Sequence, residues 1–175
     1  MRQRCLLELP PWPVAPRPFP EEAMGSWLGR VAARYRMGVG ELSDEYGLEL
    51  NTKAARAGWL ALPAVQEATL AHLARLARID EGRLQEIQTP NDVPVTRCVQ
   101  LYCAHCLFVN PIDVAAPRWK RAWLDTEIPT CEVHGTPLAA IPSSALRRCR
   151  NFDQVLRVVG RLEFERARDH RNDLH

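Results

Sequence analysis

Two short chelating pairs, Cys103-x2-Cys106 and Cys131-x2-His134, stand 24 residues apart. Each pair puts two metal-binding atoms on one turn, so that both reach a single ion at about 2.0–2.3 Å. This is the spacing of a tetrahedral structural zinc site. It implies that a metal, not a large hydrophobic core, holds the C-terminal half together. Three thiolates and one imidazole fill a four-coordinate shell and leave no position for a reactive water, so one structural Zn2+ is expected and no enzyme. Rival chemistries lack their signatures. A deaminase needs H-x-E and P-C-x-x-C, but His72 is followed by Leu73 and Ala74, and Tyr102 precedes Cys103. No H-E-x-x-H run occurs, and no βαβ pattern surrounds the CxxC as a redox motif requires. Cys5, Cys98 and Cys149 are left over, and His105 inside the CxxC turn is expected to face solvent.

The chain has 175 residues, 25% of them charged and 46% hydrophobic, which excludes a disordered chain. Net charge is +2, so nucleic-acid contact requires a local patch. No apolar run reaches the 18 residues of a membrane span, and the start lacks an apolar signal core. A cytoplasmic location is expected; thiols stay reduced there, which favours metal over disulfides.

Residues 1–19 read as a proline-rich extended arm. Pro10, Pro11, Pro13, Pro16, Pro18 and Pro20 exclude helix. The arm is either a flexible tail or a strap across a partner or its own domain, with Trp12 and Phe19 as apolar anchors. Residues 20–90 read as a helical, helix-turn-helix-like domain of about five short helices. The first begins near Pro20 with Glu21 and Glu22 in its opening turn, and Met24, Trp27, Leu28, Val31 and Tyr35 form its buried stripe. A second covers residues 41–46 and ends at Gly47. A third, capped by Asn51 or Thr52, runs through Lys53 and Arg56 to Gly58. A fourth starts at Pro63, and Asp80 caps a last one stopped by Thr89-Pro90.

After a linker, residues 98–142 form the zinc module, which opens with a short strand at residues 99–102. Trp119 and Trp123 either pack as its miniature core or stack on nucleic acid beside Arg118, Lys120 and Arg121. A C-terminal helix over residues 150–166 carries Phe152, Val155, Leu156, Val159 and Leu162 on one stripe, and the polar remainder frays. This helix either closes onto its own chain or pairs two copies as a homodimer. The fold class is mainly α. Candidate nucleic-acid contacts are Arg30, Arg34, Lys53, Arg56, Arg147, Arg148 and Arg150. From Arg147 onward eight arginines face five acids, an excess of three.

Two blocks of sequence resemble the TniQ family of transposition proteins. The first is Pro18-x-Pro20-Glu21-x3-Gly25-Ser26-Trp27-Leu28-x-Arg30. The second is Tyr102-Cys103-x2-Cys106-Leu107, Trp119-x3-Trp123 and Cys131-x2-His134-Gly135-x2-Leu138. The resemblance implies a helix-turn-helix domain followed by zinc fingers, in a non-enzymatic, bacterial, nucleic-acid-associated adaptor. The adaptor would link a target-recognition element to an AAA+ ATPase of the TniB or TnsC type. That element is target DNA, or a CRISPR effector complex with its guide RNA as for short members. The competing reading is a stand-alone sequence-specific helix-turn-helix DNA-binding regulator stabilised by zinc. One departure stands out: family members often carry a further CxxC after the H-G-x-x-L element, whereas only Cys149 remains here, so one zinc is expected. Chelation is expected to unfold residues 98–142 and spare the helical half.

Overall fold

A computed structural model describes residues 9–109, 116–125 and 127–172. Cys5 and the start of the arm lie outside the described residues. The first helix, α1 (Met24–Arg34), buries Met24, Trp27, Leu28 and Val31, as their 3.6-residue period predicts. It starts four residues later than Pro20 suggests. Glu22 therefore lies ahead of the helix, where its buried carboxylate accepts from Ser26 Oγ at 2.8 Å and from Arg30 at 2.7 and 2.8 Å. Helix α2 (Val39–Tyr46) begins as Gly38 N donates to the Glu41 carboxylate and ends at Gly47 in the left-handed region, φ 61°.

The helix expected through Lys53 and Arg56 does not form. That stretch is a run of turns, and a 3-10 turn at Gly58–Ala61 follows where the helix was to end. Arg56 N donates instead to Val95 O at 2.8 Å. Pro63 likewise does not open a helix: α3 (Glu67–Ala77) starts four residues on, and Val65 N donates to the side chain of Gln88. Asp80 caps α4 (Glu81–Glu86), accepting from Gly82 N at 2.9 Å.

Strand β1 (Val99–Tyr102) pairs antiparallel with β2 (Ala139–Pro142), Val99 opposite Pro142 and Tyr102 opposite Ala139. The two strands close the base of the loop that carries Cys103, Cys106, Cys131 and His134. A four-residue helix, α5 (Ser143–Leu146), leads to α6 (Phe152–Asn172), capped by Asn151, whose side chain accepts from Gln154 N. α6 runs past residue 166, where the sequence suggests fraying. Arg166 donates to Tyr102 Oη at 2.8 Å and to Ala140 O at 2.6 Å, fastening the helix to both strands.

The described part of the proline arm, residues 9–19, lies on its own domain. Trp12 is buried, packed on Trp27 and Tyr46 with ring centroids 6.3 and 5.5 Å apart. Trp12 N donates to Leu76 O, and Trp27 Nε1 donates to Pro16 O. Among the described residues, the buried side chains form one hydrophobic cluster that crosses every boundary drawn from the sequence. It joins α1, Trp59, Trp119, Ile141 and Val155. Trp59 Nε1 donates to Cys149 O at 2.6 Å, and Ser26 Oγ accepts from Trp119 N at 2.9 Å. No helix of the described residues is long and apolar enough to cross a membrane.

Candidate metal centre

The two halves of the centre come from two turns. Cys103 directly follows β1, and Leu107 N donates back to Cys103 O as the chain enters a π-helical turn, His105–Val109, which swings Cys106 toward Cys103. Cys131 and His134 lie on a hairpin tip: Gly135 N donates to Cys131 O at 2.7 Å, and Cys131 N to Thr136 O at 2.8 Å. Gly135 sits at φ 62°, a conformation in which a side chain would be strained, so glycine after the last ligand has a backbone reason.

The four side chains converge. His134 Nδ1 stands 3.5, 3.4 and 3.7 Å from the sulfurs of Cys103, Cys106 and Cys131, and the Cys106 and Cys131 sulfurs are 3.6 Å apart. All four donor atoms lie within 4.8 Å of one another. A tetrahedron with metal–sulfur bonds of about 2.3 Å and a metal–nitrogen bond of about 2.0–2.1 Å has edges of about 3.8 and 3.5 Å. The observed spacings match that cage and are too long for a disulfide. Charge argues the same way. Burial and the neighbouring Cys131 thiol push Cys106 up to about 12. Burial also raises Cys131, but hydrogen bonds from the His134 backbone and ring and from the Val133 amide outweigh it and hold the group at about 7. Such thiols do not all ionise side by side without a cation between them. These residues could therefore hold one metal ion.

Thr136 Oγ1 lies 3.8 Å from Cys103 Sγ, a neighbour that the spacing of the ligands does not reveal. His105 is exposed, as expected, with its ring 5.4 Å from that of His134. Cys98 stays outside the cluster and accepts from Arg56 at 3.1 Å, while Cys149 is buried against α5. Trp119 and Trp123 are both buried and meet edge to face at 5.7 Å, with Tyr102 on the other side of Trp119 at 5.9 Å. They are the packing of this module, not an exposed stacking platform.

The candidate contact residues separate into two groups. Arg30 is committed internally: its guanidinium pairs with Glu22 at 2.7 Å, and the two side chains are 9% and 0% exposed. That pair engages the charge that the sequence reading offers to a phosphate. Trp12 and Phe19 anchor the arm on its own domain, one of the two uses the sequence offers for them. Trp12 is buried, and the Phe19 ring is covered by Arg30 and Arg118, whose guanidinium carbons lie 5.0 and 3.9 Å from its centroid. Arg34, Lys53, Arg56, Arg147, Arg148 and Arg150 are exposed, and Arg150 is paired with Glu41.

The motif residues thus have structural roles that tie the N-terminal block to the metal module. A protein-family model described as TniQ matches residues 13–138, most of the chain. The chain belongs to the TniQ family. TniQ is a non-catalytic family associated with bacterial transposition. Among curated proteins no match to the chain is found. The TniQ match takes in both ligand pairs and ends one residue before β2, so α5 and α6 lie beyond it.

Proposed function

We propose that this TniQ protein is a non-enzymatic adaptor in transposition. It joins a target-recognition element to an AAA+ regulator of the TniB or TnsC type, and through it to the transposase. The recognition element is a CRISPR effector with its guide RNA, or target DNA. The family match over residues 13–138 carries this reading. We take the ion to be zinc, one per chain, because three sulfurs and one imidazole are a zinc donor set. With four protein ligands the ion shapes the fold and has no open position for chemistry.

The alternative, a stand-alone helix-turn-helix regulator, meets an electrostatic objection. In the pair α1–α2 the second helix carries Glu41, Asp44 and Glu45 and no basic residue. In the pair α3–α4 it carries Glu81 and Glu86 against Arg83 alone. Helices of that charge repel the DNA they would have to enter. The deciding experiment is affinity purification of the tagged protein from cells that co-express a TniB- or TnsC-type ATPase and its transposase, followed by a reconstituted insertion assay. Co-purification of the ATPase, with loss of targeted insertion when the protein is omitted, supports the adaptor. A footprint on duplex DNA by the protein alone, with no ATPase retained, overturns it.

A further inference from the structure

The C-terminal helix carries a second surface that neither the metal centre nor the family match accounts for. Arg157, Arg161, Phe164, Arg168 and Arg171 follow at spacings of four, three, four and three, which places them on one face of α6. All five are exposed. Arg157 and Arg161 also line an open groove of about 700 Å3 between α5 and α6, and Arg148 joins them from the preceding turn. Among the described residues none of these three meets a carboxylate; Arg157 donates only to Asp153 O. Of the nearby acids, Glu163 is held by Arg166 and Tyr102, exposed Asp153 lies one turn before Arg157, and Asp169 lies 3.8 Å from Arg168 of the stripe itself. Glu165 is exposed on the flank.

The stripe is more than charge. Phe164 is 64% exposed in its middle, and Phe108, 46% exposed, packs near Gly160 one turn earlier on the helix. A Cβ at Gly160 would lie 3.8 Å from the Phe108 ring. An uncovered aromatic ring set among arginines matches a strand that offers phosphates and unstacked base faces together. A duplex offers the phosphates but keeps its bases stacked.

We infer that the Arg148–Arg157–Arg161 groove and the Phe164 face of α6 bind a single nucleic-acid strand, the arginines holding phosphates and Phe164 stacking a base. This rests on the adaptor reading only for its biological use. The test is fluorescence anisotropy of the zinc-loaded full chain with a labelled 20-nucleotide RNA, the DNA of the same sequence, and the corresponding duplex, each over a range of salt. Tighter binding to either single strand than to the duplex supports the inference, and the RNA–DNA difference identifies the sugar. The R157Q/R161Q double variant should bind at least tenfold more weakly, with a salt slope shallower by about 1.4 for two lost phosphate contacts. Phe164→Ala should lose about 5- to 150-fold, the range for one stacked base. Arg83→Gln, on α4, is the control for loss of a surface arginine away from the stripe and should bind as wild type. Equal binding by the double variant with its melting temperature unchanged overturns the inference, as does a preference for duplex or no binding by the wild type. ATPase co-purification is scored separately. Strand binding without ATPase capture defeats the adaptor reading alone, and the converse defeats this inference alone.

Discussion

Ser26 sits at the seam between the two halves of the protein. Its hydroxyl donates to buried Glu22 and accepts from the buried Trp119 amide. Ser26→Ala leaves that amide without a partner, and the cost should be about 1–3 kcal/mol, read as a lower urea midpoint with an unchanged slope. Glu22→Ala is more severe. It strands the Arg30 charge in a site where the side chain is 9% exposed, so a loss of about 3 kcal/mol or more is expected, and pairing it with Arg30→Met should recover much of the loss. A pH effect belongs to the next residue. Burial pushes the Glu21 carboxyl up, but its own backbone amide and Arg118 outweigh that and hold it below its ordinary 4.5. Its contribution is therefore whole above that value and is lost as pH falls through the lowered one. The melting-temperature gap between wild type and Arg118→Gln should narrow on going from about pH 6 to about pH 3. A gap constant with pH would mean that Arg118 acts only through its packing on Phe19.

At the scale of elements, α1 is fixed by what it cannot accommodate. A Cβ at Gly25 would stand 2.2 Å from the Trp59 carbonyl oxygen, which is backbone and cannot rotate away. Gly25→Ala should therefore push α1 off the Gly58–Ala61 turn and cost about 1–3 kcal/mol or more, measurable by thermal melting. Much of this element was legible beforehand, because Met24, Trp27, Leu28 and Val31 declare a period that only a helix has. The metal quartet was legible for a related reason: each ligand pair is local, and its spacing alone sets its geometry. What failed to show depended on distant partners. The strand at residues 139–142 is Ala-Ala-Ile-Pro, with no alternation to mark it, and exists because residues 99–102 lie opposite. Pro63 and Asn51 look like helix starts, yet Gln88 and Val95 draw their neighbours' amides away. Arg30 reads as a candidate nucleic-acid contact until Glu22 is seen beside it.

For the molecule as a whole, the sequence suggests two units, and the single core predicts one. Chelating the metal should lower one cooperative transition, with helical circular dichroism and tryptophan fluorescence falling together, where two units would give two separate curves. Cys106→Ala should reduce zinc from about one equivalent to less than half, and it should shift the same transition. The seam also sets a timetable. The Glu22–Lys120 backbone bridge, the Ala23 amide on Trp119 O and the Arg118–Glu21 pair bring together residues almost a hundred positions apart, 97 for the last of these. At about 5–20 residues per second, the start of the chain waits on the order of 5–20 seconds on the ribosome before its counterpart is made. Until then the Ala23 amide has no Trp119 carbonyl to reach, Ser26 Oγ no Trp119 amide to accept from and Glu21 no Arg118 to pair with, so this face of the N-terminal half is completed only when the C-terminal one is made.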